Sequence, residues 1–146
     1  VLAAHSLPPS ALRLCVPDLA RPLSSATALD RLRQLAQLGI ELDLDSLGVG
    51  PLDLPELRKL APRRARIDAR LVARLAEQGS DPARPLMALA SLARGLGLRI
   101  AATSVATARI AELFDTAGVE QVQGPLFGAA VAAEDVPELL AAGSST

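Results

Sequence analysis

I-E-L-D-L-D-S-L-G-V-G, residues 40–50, alternates apolar and acidic side chains with a period of two and then runs into a turn. That period is strand grammar, and Ser46, Gly48 and Gly50 let the chain leave the strand tightly. On a strand, Asp43 and Asp45 project from one face, because successive side chains alternate. Two carboxylates near a strand end, followed by a glycine-rich turn, outline many α/β metal sites. The elements on either side decide whether such a site is present.

Upstream, residues 12–16 (L-R-L-C-V) read as a first strand, stopped by Pro17, which has no N–H to give to a ladder. Residues 21–25 read as a loop. The next helix takes Ser25 or Thr27 as N-cap, has Asp30 in its first turn where the macrodipole favours an anion, and ends at Gly39. Leu29, Leu32, Leu35, Ala36 and Leu38 form its apolar stripe. Downstream, residues 51–60 carry a short helix with Pro55 as its first residue. Residues 64–68 (R-A-R-I-D) are the third strand, followed by a helix through Leu71, Val72 and Leu75. Residues 80–85 are a break. A helix then runs to about Leu96 with Leu86, Leu89, Ala90, Ala93 and Leu96 on one face. Residues 98–102 (L-R-I-A-A) are the fourth strand. Thr107 caps a helix whose Ile110, Leu113, Phe114 and Ala117 share a face, and Gly118 ends it. Residues 119–123 (V-E-Q-V-Q) are the fifth strand, and 137–142 a short closing helix.

Strand and helix alternating five times predict an α/β fold with a parallel sheet and right-handed crossovers. Two architectures fit: an open doubly wound sheet, or part of a (β/α) barrel. A dinucleotide-binding open sheet would want G-x-G-x-x-G after its first strand, and none is present. A barrel gathers chemistry at the C-terminal ends of its strands. Those ends carry Arg13 and Cys15, Asp43 and Asp45, Arg66 and Asp68, Thr103 and Ser104, and Gln123.

The 146 residues suffice for one compact domain, 1–146, with a real core. Half are hydrophobic, yet Trp and Tyr are absent and Phe occurs twice, so Leu, Ala, Val and Ile must build that core. Fifteen basic against sixteen acidic residues, with no stacking aromatics, argue against a nucleic-acid polymer as partner. No apolar run can span a bilayer, so no membrane contact is expected from this segment. The first ten residues lack the basic region of a signal peptide. Cys15, alone, forms no intrachain disulfide and fits a reducing cytoplasm. A start at Val1 rather than Met suggests a piece of a longer chain.

Along these strand ends the sequence resembles the EAL domain, the bacterial cyclic-di-GMP phosphodiesterase family. L-P-P-S-A-L-R-L-C-V-P is similar to the family's "LPPxxLxLEITES" segment, and L-D-L-D-S-L-G-V-G to "IALDDFGTG". A-R-I-D-A-R-L-V is similar to "LKIDRSFV", L-G-L-R-I-A-A-T-S-V-A-T to "LGLxVVAEGVET", and V-E-Q-V-Q-G-P-L-F-G to "CDxVQGYLFG". The resemblance implies a partial (β/α)8 barrel of about five parallel strands, covering the C-terminal three-fifths of the domain. The segment bearing the E-A-L signature and the next strand, with its metal-binding Asn, have no counterpart.

The resemblance also implies a site. The family uses two divalent cations, Mg²⁺ or Mn²⁺, held by carboxylates that activate a water. Carried over, the metal-binding Glu of "LEITE" falls on Arg13 and its second Glu on Val16. The paired acids of "DDFG" become Asp45 and Ser46, and the "LKID" segment gives Arg66 and Asp68. The two Glu of "AEGVE" become Thr103 and Ala106, and Gln123 is kept. These are vestigial positions, and the expectation is no catalytic residue, no metal and no cofactor. In place of the ions, guanidinium–carboxylate pairs are expected. The implied protein is a catalytically inactive signalling or interaction module of a bacterial, cytoplasmic regulator. Its partners would be another protein or itself. The alternatives are a metal-dependent phosphodiesterase with ligands from elsewhere, and a non-catalytic cyclic-di-GMP receptor. The missing strands argue against nucleotide binding.

Other side chains read more plainly. Asp43 and Asp45 are expected to be ion-paired, and Arg66 to pair with Asp45 or Asp68. Gln123 and Gly124 are expected to hold backbone geometry. Cys15, Phe114 and Phe127 read as core, His5 as solvent-facing, and Arg63 and Arg64 as a solvated edge.

Overall fold

The computed structural model describes residues 2–17, 25–49, 54–77, 79 and 81–143. Five strands, β1 (Arg13–Val16), β2 (Glu41–Leu44), β3 (Arg64–Asp68), β4 (Arg99–Thr103) and β5 (Gln121–Val122), pair in sequence order. Every neighbouring pair is parallel. A consecutive order without reversal is the barrel arrangement; a doubly wound sheet changes direction at a switch point. The helices are α1 (Ala26–Gln37), α2 (Leu54–Leu60), α3 (Ala69–Glu77), α4 (Ala83–Gly95), α5 (Ala108–Thr116) and α6 (Val136–Gly143).

The period of two in the strands separates two faces. Val16, Leu42, Leu44, Ala65, Ile67, Ile100 and Ala102 pack into one core with Leu29, Leu57, Leu86, Ala90 and Phe114 from the helices. That core is aliphatic apart from Phe114, as the composition requires. The alternate residues of each strand are left for the opposite face. Local signals fix the helix starts: Ser25 Oγ accepts from Ala28 N at 3.4 Å, and Thr107 Oγ1 from Ile110 N at 3.4 Å. After β2 the chain turns sharply. Gly48 has φ +92°, and a Cβ there would lie 2.8 Å from Leu89 Cδ1, so the turn closes directly onto α4.

Several boundaries differ from the sequence expectation. The loop residues 21–24, Gly50, residues 51–53 and Ser80 lie outside the described residues. Within them, α2 begins at Leu54, ahead of Pro55. Asp30 falls beyond the first turn of α1 and bonds Arg33 at 3.0 Å instead. Leu38, one residue past α1, is exposed rather than part of its stripe. Helix α4 starts inside the expected break because Asp81 Oδ1 accepts from Ala83 N at 3.0 Å. Strand β5 is only two residues long, although the flanking Glu120 and Gln123 also donate their backbone N–H groups to β4, at Ile100 O and Ala102 O. Phe127 was expected in the core but sits in a 3₁₀ turn past β5 and is 57% exposed.

Candidate functional site

The face of the sheet not used by the core carries Arg13 and Cys15 from β1, Glu41 and Asp43 from β2, and Arg64 and Arg66 from β3. The register sets Cys15 beside Asp43, Asp43 beside Arg64, and Ala101 beside Gln121. A cavity of ≈ 500 Å³ opens over this face, lined by Cys15, Asp43, Arg64, Arg66 and Gln123 among others. The small side chain at Ala101, opposite Arg66 in the register, leaves it room.

Asp43 is its centre and is only 4% exposed. Its Oδ2 lies 3.2 Å from Arg64 Nε. Its Oδ1 lies 3.6 Å from Arg13 Nε and accepts no hydrogen bond. Burial pushes the Asp43 carboxyl above the ordinary aspartate range, against the pull of Arg13 and Arg66. Arg13 also donates from Nε and Nη2 to Glu41 Oε2, the first at 3.0 Å, which holds Glu41 below the usual carboxylate range. Arg64 donates to Gln121 Oε1. Asp43 is thus clamped from both neighbouring strands.

Arg66 makes the second bridge. Its Nη1 donates to Cys15 Sγ at 2.7 Å, its Nη2 to Gln123 Oε1 at 3.5 Å, and its Nε lies 4.0 Å from Asp45 Oδ1. Burial pushes the Cys15 thiol up, with Arg66 opposing. Asp45, just past β2, accepts from the Ser46 backbone N–H at 2.9 Å, where Ser46 takes φ +56°. Asp68 turns to α3 instead: Arg70 bonds both of its carboxylate oxygens and adds its backbone N–H at 2.9 Å. Those bonds hold Asp68 low, with the Ser104 side chain contributing. Gln123 is fixed through its backbone, N to Ala102 O at 2.9 Å and O to Val105 N at 3.1 Å. Gly124 follows, and a Cβ there would lie 2.2 Å from both Val105 N and Val105 O, so only glycine allows that approach.

Two divalent cations would need several oxygen donors converging at once. Among the described residues no group of three His, Cys, Asp or Glu side chains does so. Asp43 and Asp45 each already face a guanidinium. Thr103, at the end of β4, offers no charge. The described residues do not fit a pair of Mg²⁺ or Mn²⁺ ions, and no chemistry is routed through them.

Three sequence expectations change. Counting along L-P-P-S-A-L-R-L-C-V-P, the position after Leu14 is Cys15, so the motif's first Glu falls on Cys15 and not on Arg13. Its second falls on Asp18 and not on Val16, and Asp18 lies outside the described residues. Cys15 is correspondingly no core residue but half-buried at the cavity, under Arg66. Arg64 is no solvated edge, unlike Arg63; only 12% of its side chain is exposed. The parity of R-A-R-I-D already placed Arg64 on the face of Arg66. Of the two partners considered for Arg66, the structure brings up Asp45.

A model of the EAL domain family matches residues 1–130. The bifunctional diguanylate cyclase/cyclic di-GMP phosphodiesterase MucR of Pseudomonas aeruginosa is 33% identical over 135 residues, 92% of this chain and 20% of MucR. An uncharacterized protein of Azorhizobium caulinodans is 28% identical over 143 residues, 96% of this chain and 19% of its own length. The chain therefore spans about a fifth of the length of these relatives. In structure, the MucR phosphodiesterase in complex with c-di-GMP superposes with a TM-score of 0.81 at 32% identity, over 92% of this chain and 54% of that one. The EAL domain of Mycobacterium smegmatis DcpA gives 0.80 at 25% identity, over 97% and 63%.

Proposed function

The chain belongs to the EAL domain family, homologous to cyclic-di-GMP phosphodiesterases, and from that premise we propose that it is a catalytically silent member acting as an interaction module. The observation that carries this reading is the pairing of the inner face. Where phosphodiester chemistry would need acids free to hold cations, Asp43 sits between Arg13 and Arg64, and Arg66 reaches Cys15, Asp45 and Gln123. A guanidinium beside each carboxylate competes directly with a metal ion for the same oxygen lone pairs.

An interaction role is supported by what the fold leaves uncovered. Among the described residues β1 and β5 each pair on one side only, and Phe127, Leu139 and Leu140 are exposed apolar residues. Such edges and apolar surface favour self-association or a protein partner. The setting proposed is a bacterial cytoplasmic regulator. No helix among the described residues is long and apolar enough to cross a membrane.

The test is hydrolysis of cyclic-di-GMP by the purified chain with Mg²⁺ or Mn²⁺, followed by chromatography of the products. No turnover is expected at any protein concentration. Turnover that scales with protein and stops on chelation would overturn the reading. A second reading, a non-catalytic cyclic-di-GMP receptor, is favoured by the ≈ 500 Å³ cavity with Arg66 and Gln123 in its wall. Titration calorimetry with the dinucleotide in the presence of chelator separates the two.

A further inference from the structure

At the end of the sheet where the strands begin, away from Gln123, a cleft of ≈ 580 Å³ opens between the helix ends and the sheet. Its floor is apolar, formed by the buried Leu42, Leu57 and Leu98. Arg58 and Arg63 stand on its rim. A smaller hollow of ≈ 190 Å³ shares Glu41, Arg63 and Gly97 with it and adds Arg99 and Glu120. Arg63 and Arg99 are neighbours across the strands, joined by the bond from Arg99 N to Arg63 O at 3.1 Å.

The charges here are not balanced. Arg13 pairs with Glu41, and Arg64 with Asp43. Arg58, Arg63 and Arg99 form no ion pair among the described residues, and Arg63 and Arg99 share the smaller hollow with Glu120, a carboxylate that forms no ion pair among them either. Arg63 and Arg99 are close enough to help hold Glu41 ionised behind its main partner Arg13. An apolar hollow of a few hundred Å³ with a few convergent polar groups is the usual form of a small-molecule site. Unpaired guanidinia beside it select the charge of the occupant, since the arginine fork matches a carboxylate. Glu120 on the rim repels a dianion more than a monoanion, which favours a carboxylate over a phosphate.

We propose that this cleft binds a small amphipathic carboxylate, its apolar body against Leu42, Leu57 and Leu98 and its head at Arg63 and Arg99. The apolar cleft shares no lining residue with the Cys15–Asp43 cavity, while the smaller hollow that takes the head meets it at Arg13, Arg64 and Gln121; the proposal does not depend on catalytic silence.

Octanoate is the probe, titrated into the chain at low salt and followed by methyl NMR and calorimetry, with octanol and acetate as controls. Octanoate should bind saturably at one site, shifting the methyls of Leu57 and Leu98. Octanol should bind at least tenfold more weakly, and acetate should not saturate. The double variant Arg63→Gln/Arg99→Gln, made at exposed side chains without ion pairs, should weaken octanoate at least tenfold with an unchanged circular dichroism spectrum. Should that variant not fold, Ser10→Trp, which fills the cleft from an exposed turn, must abolish binding instead. Equal affinity for octanol, unchanged binding by the variants, or shifts centred on Leu139 and Leu140 would overturn the proposal.

Discussion

Replacing Arg64 by Met keeps the aliphatic stem on β3 but removes the guanidinium whose Nε lies 3.2 Å from Asp43 Oδ2. At that distance two unit charges attract by about 5 kcal/mol at an effective dielectric of ~20, before desolvation offsets part of it. What the variant suffers is a carboxylate left buried with one partner fewer. Breaking a buried pair from one side costs roughly 3–5 kcal/mol. Arg13 remains at 3.6 Å, but it is 44% exposed and shared with Glu41, so its compensation is partial. The expected loss is about 2–3 kcal/mol, a fall in Tm of roughly 4–12 °C for a chain of this size. Urea unfolding followed by far-UV circular dichroism reads it, since the chain has no Trp or Tyr to report by fluorescence. The sign with pH is fixed. Burial already raises the Asp43 carboxyl above 3.8, and losing the Arg64 guanidinium at 3.2 Å should raise it further. A group with a raised folded-state pKa is penalised while ionised, so the deficit is full above that value and shrinks as pH falls through it towards 3.8. Asp43→Asn added to Arg64→Met should recover part of the loss, with a coupling of about 1 kcal/mol or more. A deficit under about 1 kcal/mol, equal at acid and neutral pH, would refute a buried, mutually dependent pair.

Gly124→Ala should cost about 3 kcal/mol in chemical denaturation, because its new Cβ meets the Val105 backbone, which no side-chain rotation can clear. The two phenylalanines should behave oppositely in thermal melts. Phe114→Ala, at a fully buried site, should lose roughly 3–5 kcal/mol, and Phe127→Ala, half exposed, less than about 0.5. Arg70→Ala should cost little at neutral pH, since Arg70 is 77% exposed and solvent screens its pair with Asp68. That contribution arises from an Asp68 held low, so it is present above the ordinary aspartate value of 3.8 and disappears as pH falls through the lower folded-state value. Stability curves of wild type and variant over acid pH check it.

The features legible in the sequence were those set by local rules. The alternation in residues 41–44 and 64–68 gave strands β2 and β3 and the face each side chain takes, and Ser25 and Thr107 gave the caps of α1 and α5. What escaped depended on neighbours distant in sequence. Cys15 looks like a core residue by type, but its parity puts it on the polar face, where Arg66 arrives from 51 residues away. Arg64 looked like half of an exposed basic pair, and only the pairing of β2 with β3 shows that Asp43 covers it. Phe127 is apolar by type, yet its turn past Gly124 carries it off the core.

Barrel interiors are usually filled by layers of branched apolar side chains. Here the corresponding face carries Arg13, Arg64 and Arg66 paired with Glu41, Asp43 and Asp45, with the exposed Arg99 set beside Arg64 by the register and Cys15 kept as a neutral thiol by burial. The bonds run across strands rather than along them. One series passes from Glu41 through Arg13 and Asp43 to Arg64 and Gln121, and another from Cys15 through Arg66 to Gln123. Each spans from the first half of the sheet to β5 or its end, so the same contacts that neutralise the face also hold its register. A face of this kind is already close to neutral without any bound ion, and two divalent cations would make it strongly positive in a partly desolvated place. The carboxylates and arginines of this face are therefore parts of one electrostatic solution. Adding a single acid, as in Cys15→Glu, would supply one more carboxylate within reach of Arg66 and add a fifth ion pair to the four already there before it created a metal site.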